Sequence, residues 1–144
     1  MKKTFLLLVA ALLLSFTACA DRKQAITLEQ LPEAAQTVIK TYFNVNDIAY
    51  IIKETELRTE YDVRLNSGEE LEFDSKGALT KVDCKTYAVP DGLLPEAIKT
   101  YVMTTYPNAF VKEWARDDNR WKAELNNGLE LLFDRKYKFV GIDD

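Results

Sequence analysis

The sequence predicts an α+β domain: a tandem repeat of one helix plus four antiparallel strands, with both helices on one face of an about eight-stranded antiparallel sheet. Three observations predict it. Residues 65–77 (L-N-S-G-E-E-L-E-F-D-S-K-G) and 125–137 (L-N-N-G-L-E-L-L-F-D-R-K-Y) are identical at eight of thirteen positions, where average residue usage gives roughly one by chance. The tetrapeptide L-P-E-A opens at Leu31 and again at Leu94, and each copy starts an apolar stripe of helical period. Downstream of each stripe, apolar and polar residues alternate with the period of a half-buried strand.

The helices come first in each unit. Leu31, Ala34, Ala35, Val38, Ile39, Tyr42 and Phe43 recur at i, i+3, i+4, i+7, i+8, i+11 and i+12, and Leu94, Ala97, Ile98, Tyr101, Val102 and Tyr106 keep the same period. Both are one-sided stripes on helices of about three turns. Pro32 and Pro95 suit a first turn, where a missing N–H is harmless. Glu33 and Glu96 then meet the positive end of the helix dipole. Such stripes are packing faces.

The strands are expected over 48–56, 61–66, 70–74 and 79–87, then over 110–116, 120–126, 129–133 and 138–142. Asn66-Ser67-Gly68 and Asn126-Asn127-Gly128 are hairpin turns whose Asn and Gly accept positive φ. Residues 74–77 make a further turn, which 134–137 copy with Tyr137 in place of Gly77. On one side of these strands stand Tyr61, Val63, Leu65, Leu71 and Phe73, repeated as Trp121, Ala123, Leu125, Leu131 and Phe133. The other side carries Asp62, Arg64, Glu70, Glu72 and Asp74, then Lys122, Glu124, Glu130 and Asp134. One apolar and one charged face mark an antiparallel sheet covered on one side only. Leu132 breaks the charged face where the first copy has Glu72, and is expected to be exposed there, either as an isolated apolar residue or as the seed of a contact patch. A two-residue turn at Asp118-Asn119 would pair Trp114 with Ala123 and bury it, whereas a three-residue turn would face it outward; burial is the expectation.

The leader is an address. Lys2 and Lys3 precede an apolar run over 5–16, about 18 Å as a helix and too short for the roughly 30 Å hydrocarbon core. Residues 1–18 are therefore read as a signal peptide. Phe16-Thr17-Ala18-Cys19 resembles a lipobox, with Phe16 where Leu is usual, so Cys19 is the expected lipidation site and 19–26 a tether; the rival site, Ala18-Cys19-Ala20, would release a soluble protein. Residues 27–144 form the domain, as repeats 27–86 and 87–144.

Without 1–18 the chain carries 17 basic and 23 acidic residues. That balance argues against nucleic acid, which needs a basic footprint. The chain has no His, which removes His-based triads and most transition-metal sites. Cys84, at strand spacing from Val82, reads as a buried small hydrophobe. Five Gly, none in a phosphate-loop pattern, leave no nucleotide site. Carboxylates remain, around Glu70 and Glu72, for glycosidase-like chemistry or Ca²⁺. Their recurrence as Glu70 and Glu130 fits a solvated strand face better, so no catalytic residue, metal or cofactor is expected.

The L-P-E-A helix, the L-x-[SN]-G hairpin and the E-[LF]-x-F-D-x-K-G segment together resemble the PepSY-like family, also described as beta-lactamase-inhibitor-like. Its members are small envelope proteins of Bacteroides-type bacteria. The resemblance rests on Leu65, Gly68, Glu70, Leu71, Phe73, Asp74, Lys76 and Gly77 and their copies over 125–136, and it departs at Tyr137. It implies a binding or inhibitory module of the cell envelope rather than an enzyme, acting on an envelope or secreted protein through the open sheet face. The residues of that face are Asp62, Arg64, Glu70, Glu72, Lys122, Glu124, Glu130 and Leu132. A small-ligand or peptide sensor binding between the repeats is the alternative, and a carboxylate-dependent hydrolase ranks third. The membrane is expected to be met only through the lipid anchor, and open edge strands would invite a homodimer.

Overall fold

A computed structural model describes residues 22–143. Two helices, α1 (Glu33–Tyr42) and α2 (Glu96–Thr105), accompany nine strands: β1 (Lys23–Ala25), β2 (Ile48–Thr55), β3 (Thr59–Leu65), β4 (Glu70–Asp74), β5 (Leu79–Asp83), β6 (Val111–Asp117), β7 (Arg120–Leu125), β8 (Glu130–Phe133) and β9 (Phe139–Asp143). The strands form one open sheet in chain order, every neighbour antiparallel. The class is α+β, as the residue pattern predicts.

The sheet has one strand more than the sequence suggests. Residues 23–25, read as tether, pair with Glu54, Lys53 and Ile52 of β2. The Ile26 N–H donates to the Ile51 carbonyl at 3.0 Å and the Thr55 N–H to the Arg22 carbonyl at 2.8 Å. All three β1 residues are exposed, so no alternation of side chains announces this strand; backbone hydrogen bonds hold it, with Lys23 reaching Glu54 at 3.1 Å. The strand expected over 79–87 stops at Asp83. Lys85 takes a left-handed φ of 59°, and the Tyr87 N–H closes a turn on the Cys84 carbonyl at 3.0 Å.

Pro32 and Pro95 sit one step earlier than a first-turn position. Each is the N-cap residue, extended at φ −53° and −57°, and its carbonyl accepts from Gln36 N–H (3.1 Å) or Ile98 N–H (3.0 Å). Proline fits there because the cap contributes a carbonyl and needs no N–H. Only part of each stripe is buried: Ala35 and Ile39 on α1, Ile98 and Val102 on α2. Tyr42 stays 37% exposed, so α1 buries a narrower face than its periodicity suggests.

These helix residues join a single core with Ile51, Tyr61, Val63, Leu71, Phe73, Val82, Trp114, Ala123, Leu125, Leu131 and Phe133 from the sheet. Both helices therefore cover the same side. The predicted inward set is buried, with Trp121 half-buried. Trp114 pairs with Ala123 across the Asp118-Asn119 turn and is 3% exposed, as the two-residue turn requires.

Registers match between the two halves. Tyr61 faces Phe73 and Val63 faces Leu71, as Trp121 faces Phe133 and Ala123 faces Leu131. Irregularities fall in equivalent places: Ile48/Tyr50 and Val111/Glu113, then Glu72/Phe73 and Leu132/Phe133. Asp74 Oδ1 accepts from the N–H groups of Lys76 and Ala78 at 2.9 and 3.0 Å, and Asp134 Oδ1 from those of Lys136 and Lys138 at 2.8 and 2.9 Å. The second turn thus keeps the geometry of the first even though Tyr137, at φ 63°, replaces Gly77 at φ 82°.

The halves meet at β5 and β6. Their ladder is three residues long, Lys81–Ala115, Val82–Trp114 and Asp83–Glu113, and it makes the two four-strand groups one continuous sheet.

Candidate functional site

Strand alternation turns every second side chain away from the helices. Cross-strand pairing then sets two rows across the outer face. One runs Ile52, Asp62, Glu72, Lys81, Ala115, Lys122, Leu132, Gly141. The other runs Tyr50, Arg64, Glu70, Asp83, Glu113, Glu124, Glu130, Asp143, with six carboxylates in succession from Glu70 onward. Like charges directly opposite one another repel, so cations must lie between them.

Those cations come from neighbouring positions. Glu70 is the hub of the first half: Arg64 approaches at 2.5 Å, Lys85 at 2.7 Å and Lys81 at 3.6 Å. Lys85 also reaches Asp83 at 2.5 Å, and its own N–H donates to Asp83 Oδ1 at 2.8 Å. The left-handed backbone at Lys85 brings the side chain back over the sheet. In the second half Lys122 pairs with Glu130 at 3.1 Å and Lys112 with Glu124 at 2.7 Å. Lys81, at the seam, lies 3.8 Å from Glu72 and 3.9 Å from Glu113.

The titration of these groups follows from their surroundings. The Lys85 ammonium, donating a hydrogen bond, holds the Glu70 carboxyl below its ordinary range, aided by Arg64 and Lys81. Burial pulls Asp83 upward, but hydrogen bonds from the Lys85 side chain and backbone outweigh it and leave the carboxyl low. Burial pushes Asp62, Glu72 and Glu113 up, against the pull of Lys81. The outer face is thus a half-dry ionic mesh, not a row of freely solvated charges.

Of the eight residues anticipated for this face, Asp62, Arg64, Glu70, Glu72, Lys122, Glu124 and Glu130 stand on it together. Leu132 is on the same side but only 8% exposed, which overturns its reading as an exposed apolar residue. Its register neighbour is Lys122, whose ammonium donates to Glu130 at 3.1 Å. Sequence reasoning missed Lys81, Asp83, Lys85, Lys112 and Glu113. Lys81 and Asp83 alternate correctly within β5, but their place on the face depends on the β5–β6 pairing, which no local pattern encodes. Cys84 is buried, and burial pushes its thiol up to about 11, so it is an unionised packing residue at neutral pH. Cys19 and the leader lie outside the described residues.

Solved structures share this architecture. A 1.85 Å crystal structure of a periplasmic protein of the DUF2874 family from Bacteroides vulgatus is similar at 43% identity and TM-score 0.81, covering 87% of this chain and 99% of that one. A Bacteroides thetaiotaomicron structure, described as a "putative calcium-regulated periplasmic protein", is 38% identical with TM-score 0.79 over 87% of this chain and 99% of its own. A third, a periplasmic protein of unknown function from Bacteroides vulgatus, is 35% identical with TM-score 0.78, covering 85% and 99%. No curated protein matches. The model of the family "Putative beta-lactamase-inhibitor-like, PepSY-like" matches residues 59–141, and with the fold and these relatives it makes the chain a member of the PepSY-like family.

Proposed function

We propose that this chain is a non-catalytic module of the cell envelope that docks a secreted or periplasmic protein on its open sheet face and modulates it. The observation that carries the reading is the outer face itself. Nine strands present a continuous ionic surface while both helices bury their apolar stripes on the opposite side. Arg64, 39% exposed, and Lys85, 41% exposed, keep donors available at its centre. Charge patterns of this kind select partners and speed encounter more than they add raw affinity. The beta-lactamase-inhibitor-like family description and the periplasmic neighbours support the same reading.

The test is capture from native envelope, identification of the bound protein by mass spectrometry, and reconstitution with that protein purified. Arg64→Glu, alone and with Lys122→Glu, is expected to abolish the reconstituted complex while Lys40→Glu on the helical side leaves it intact. Equal binding by all three variants would remove the sheet face from the proposal.

Two finer points belong to the same reading. Matching registers and turns support two copies of one ancestral unit. Cys19 is proposed as a lipid anchor; Cys19→Ala should move the protein from the membrane to the soluble fraction, and an unchanged distribution would refute the anchor. The calcium in one neighbour's description is said of that protein; in this chain Glu70, Asp83, Glu124 and Glu130 hold lysine or arginine.

A second reading, a small ligand or peptide between the two halves, is supported by an open notch of about 850 Å³ at their junction.

A further inference from the structure

We propose that this notch is a binding site for a small polyanion, a molecule with two or more carboxylate or phosphate groups. The inference rests on the second reading above and gives it a place and a ligand class. The site lies at the hairpin ends and shares only Glu72 with the residues named for protein docking.

The notch follows from the short ladder between the halves. Beyond Lys81–Ala115, β6 runs on to Asp117 and turns into β7 at Arg120, whereas β5 begins only at Leu79. The two hairpin ends therefore separate, with Thr80 on one side and Arg116 on the other. The gap is within the size range of small-molecule sites.

Its lining is unlike the rest of the chain. The sequence has six arginines among 19 basic residues and an excess of acid. Four of those six, Arg58, Arg116, Arg120 and Arg135, line this one notch, and no lysine does. Arginine rather than lysine matters, because the planar guanidinium offers paired donors that match a carboxylate or phosphate in a fork. Arg58 is taken by Glu60 at 2.7 Å and Arg135 donates to the Asn119 side chain. Arg116 and Arg120 have no ion-pair partner among the described residues, although Glu72 and Asp118 also face the space. Two arginines from one hairpin thus hold unspent donors beside two that are lightly held. Trp121 forms part of the wall and stacks on Trp114, ring centroids 4.7 Å apart and planes at 7°. That stack gives the site a rigid apolar side. Four arginines around one space offer more paired donors than a single anionic group can accept, which is why the ligand should bear several such groups on a small frame.

The experiment is calorimetric titration of the folded mature protein with citrate and, separately, with pyrophosphate, at about 20 mM and about 150 mM salt. Saturable binding by either probe is expected, weaker at the higher salt. Citrate alone identifies carboxylate as the recognised group, pyrophosphate alone phosphate, and both support the shared chemistry. Arg116→Gln with Arg120→Gln should weaken binding by about tenfold or more, since charge-assisted hydrogen bonds are lost. Lys23→Gln with Lys40→Gln, an equal charge loss elsewhere, should change it by less than about twofold. Both pairs are at the surface, and unchanged melting temperatures verify their folds. Absence of saturation, or equal weakening in the two double variants, overturns the inference. Binding of a neutral peptide that quenches tryptophan fluorescence, with neither polyanion bound, would also overturn it while leaving a ligand between the halves.

Discussion

The two halves of the sheet share registers, irregularities and turns, yet they fill their interiors with different materials. In the first half Ile51 lies opposite Val63, and Leu79 and Val38 pack against the core that also holds Tyr61. At the equivalent places the second half puts Trp114 opposite Ala123, with Phe139, Tyr101 and Trp121. Tyr101 of α2 stacks on Phe139 at 4.6 Å and meets Phe133 edge-on at 5.6 Å. A large ring beside an alanine and a medium side chain beside another medium one occupy comparable space. The backbone fixes how much volume must be filled, and the side chains are free to divide it.

The turn at Gly77 shows where this freedom ends. A Cβ at Gly77 would stand 2.8 Å from Pro32 Cβ and 2.9 Å from the Ala35 backbone nitrogen, so α1 is packed directly onto the turn. At Tyr137 the same left-handed backbone carries a ring that packs 6.3 Å from Trp114 and 6.1 Å from Trp121. In one half the helix touches the turn; in the other an aromatic cluster stands there, and an open groove of about 530 Å³ lies between that cluster and the start of α2.

Three measurements test the comparison. The largest effect is expected from Phe73→Ala and Phe133→Ala, both fully buried; each should lower unfolding free energy by about 3–5 kcal/mol in urea titrations. A difference between them above about 2 kcal/mol would show that the halves do not share the core equally. Next, Gly77→Val should lose about 3 kcal/mol, because strain at positive φ adds to contact with Pro32 and Ala35. Tyr137→Gly should lose about 1 kcal/mol, as relief of the left-handed φ offsets part of the lost ring packing. Equal losses would mean that α1 is not pressed onto its turn.

The smallest effect lies in the pH dependence of the outer face. Glu70 has a folded pKa below its ordinary value, so its contribution is full above the unfolded pKa and fades as pH falls through the folded one. Glu113 has a folded pKa above its ordinary value; the folded state keeps a proton that the unfolded state releases, so stability rises as pH falls through that pKa. Glu70→Gln should therefore lower the melting temperature at neutral pH, with the deficit shrinking in acid. Glu113→Gln should be neutral or stabilising at neutral pH, with the gain shrinking in acid. Parallel pH profiles for the two variants would disprove the opposed environments.

Most of the fold was legible because it is local. Helical and strand periods, the Asn-Gly hairpins and the Asp74 and Asp134 turns involve residues only a few positions apart, and hydrophobic alternation gives each strand a definite face. Trp114 could be placed only once the turn length was known, since a two-residue turn pairs it with Ala123 and a three-residue turn would face it outward. By contrast β1 has no side-chain pattern to announce it, and Leu132, on the charged face by alternation, is nevertheless only 8% exposed.

By itself, then, the sequence determined the composition of the layers, the direction in which each strand points its apolar side, the family and the absence of histidine chemistry. Tertiary structure alone decided that three residues of β5 and β6 weld the halves into one sheet, that Lys81 and Lys85 knit carboxylates from several strands, and that four arginines far apart in the chain surround one notch. The physical reason is range. Side-chain alternation and turn geometry are set by nearest neighbours along the chain, whereas a seam, an ionic mesh or a cavity exists only after distant segments have been brought side by side.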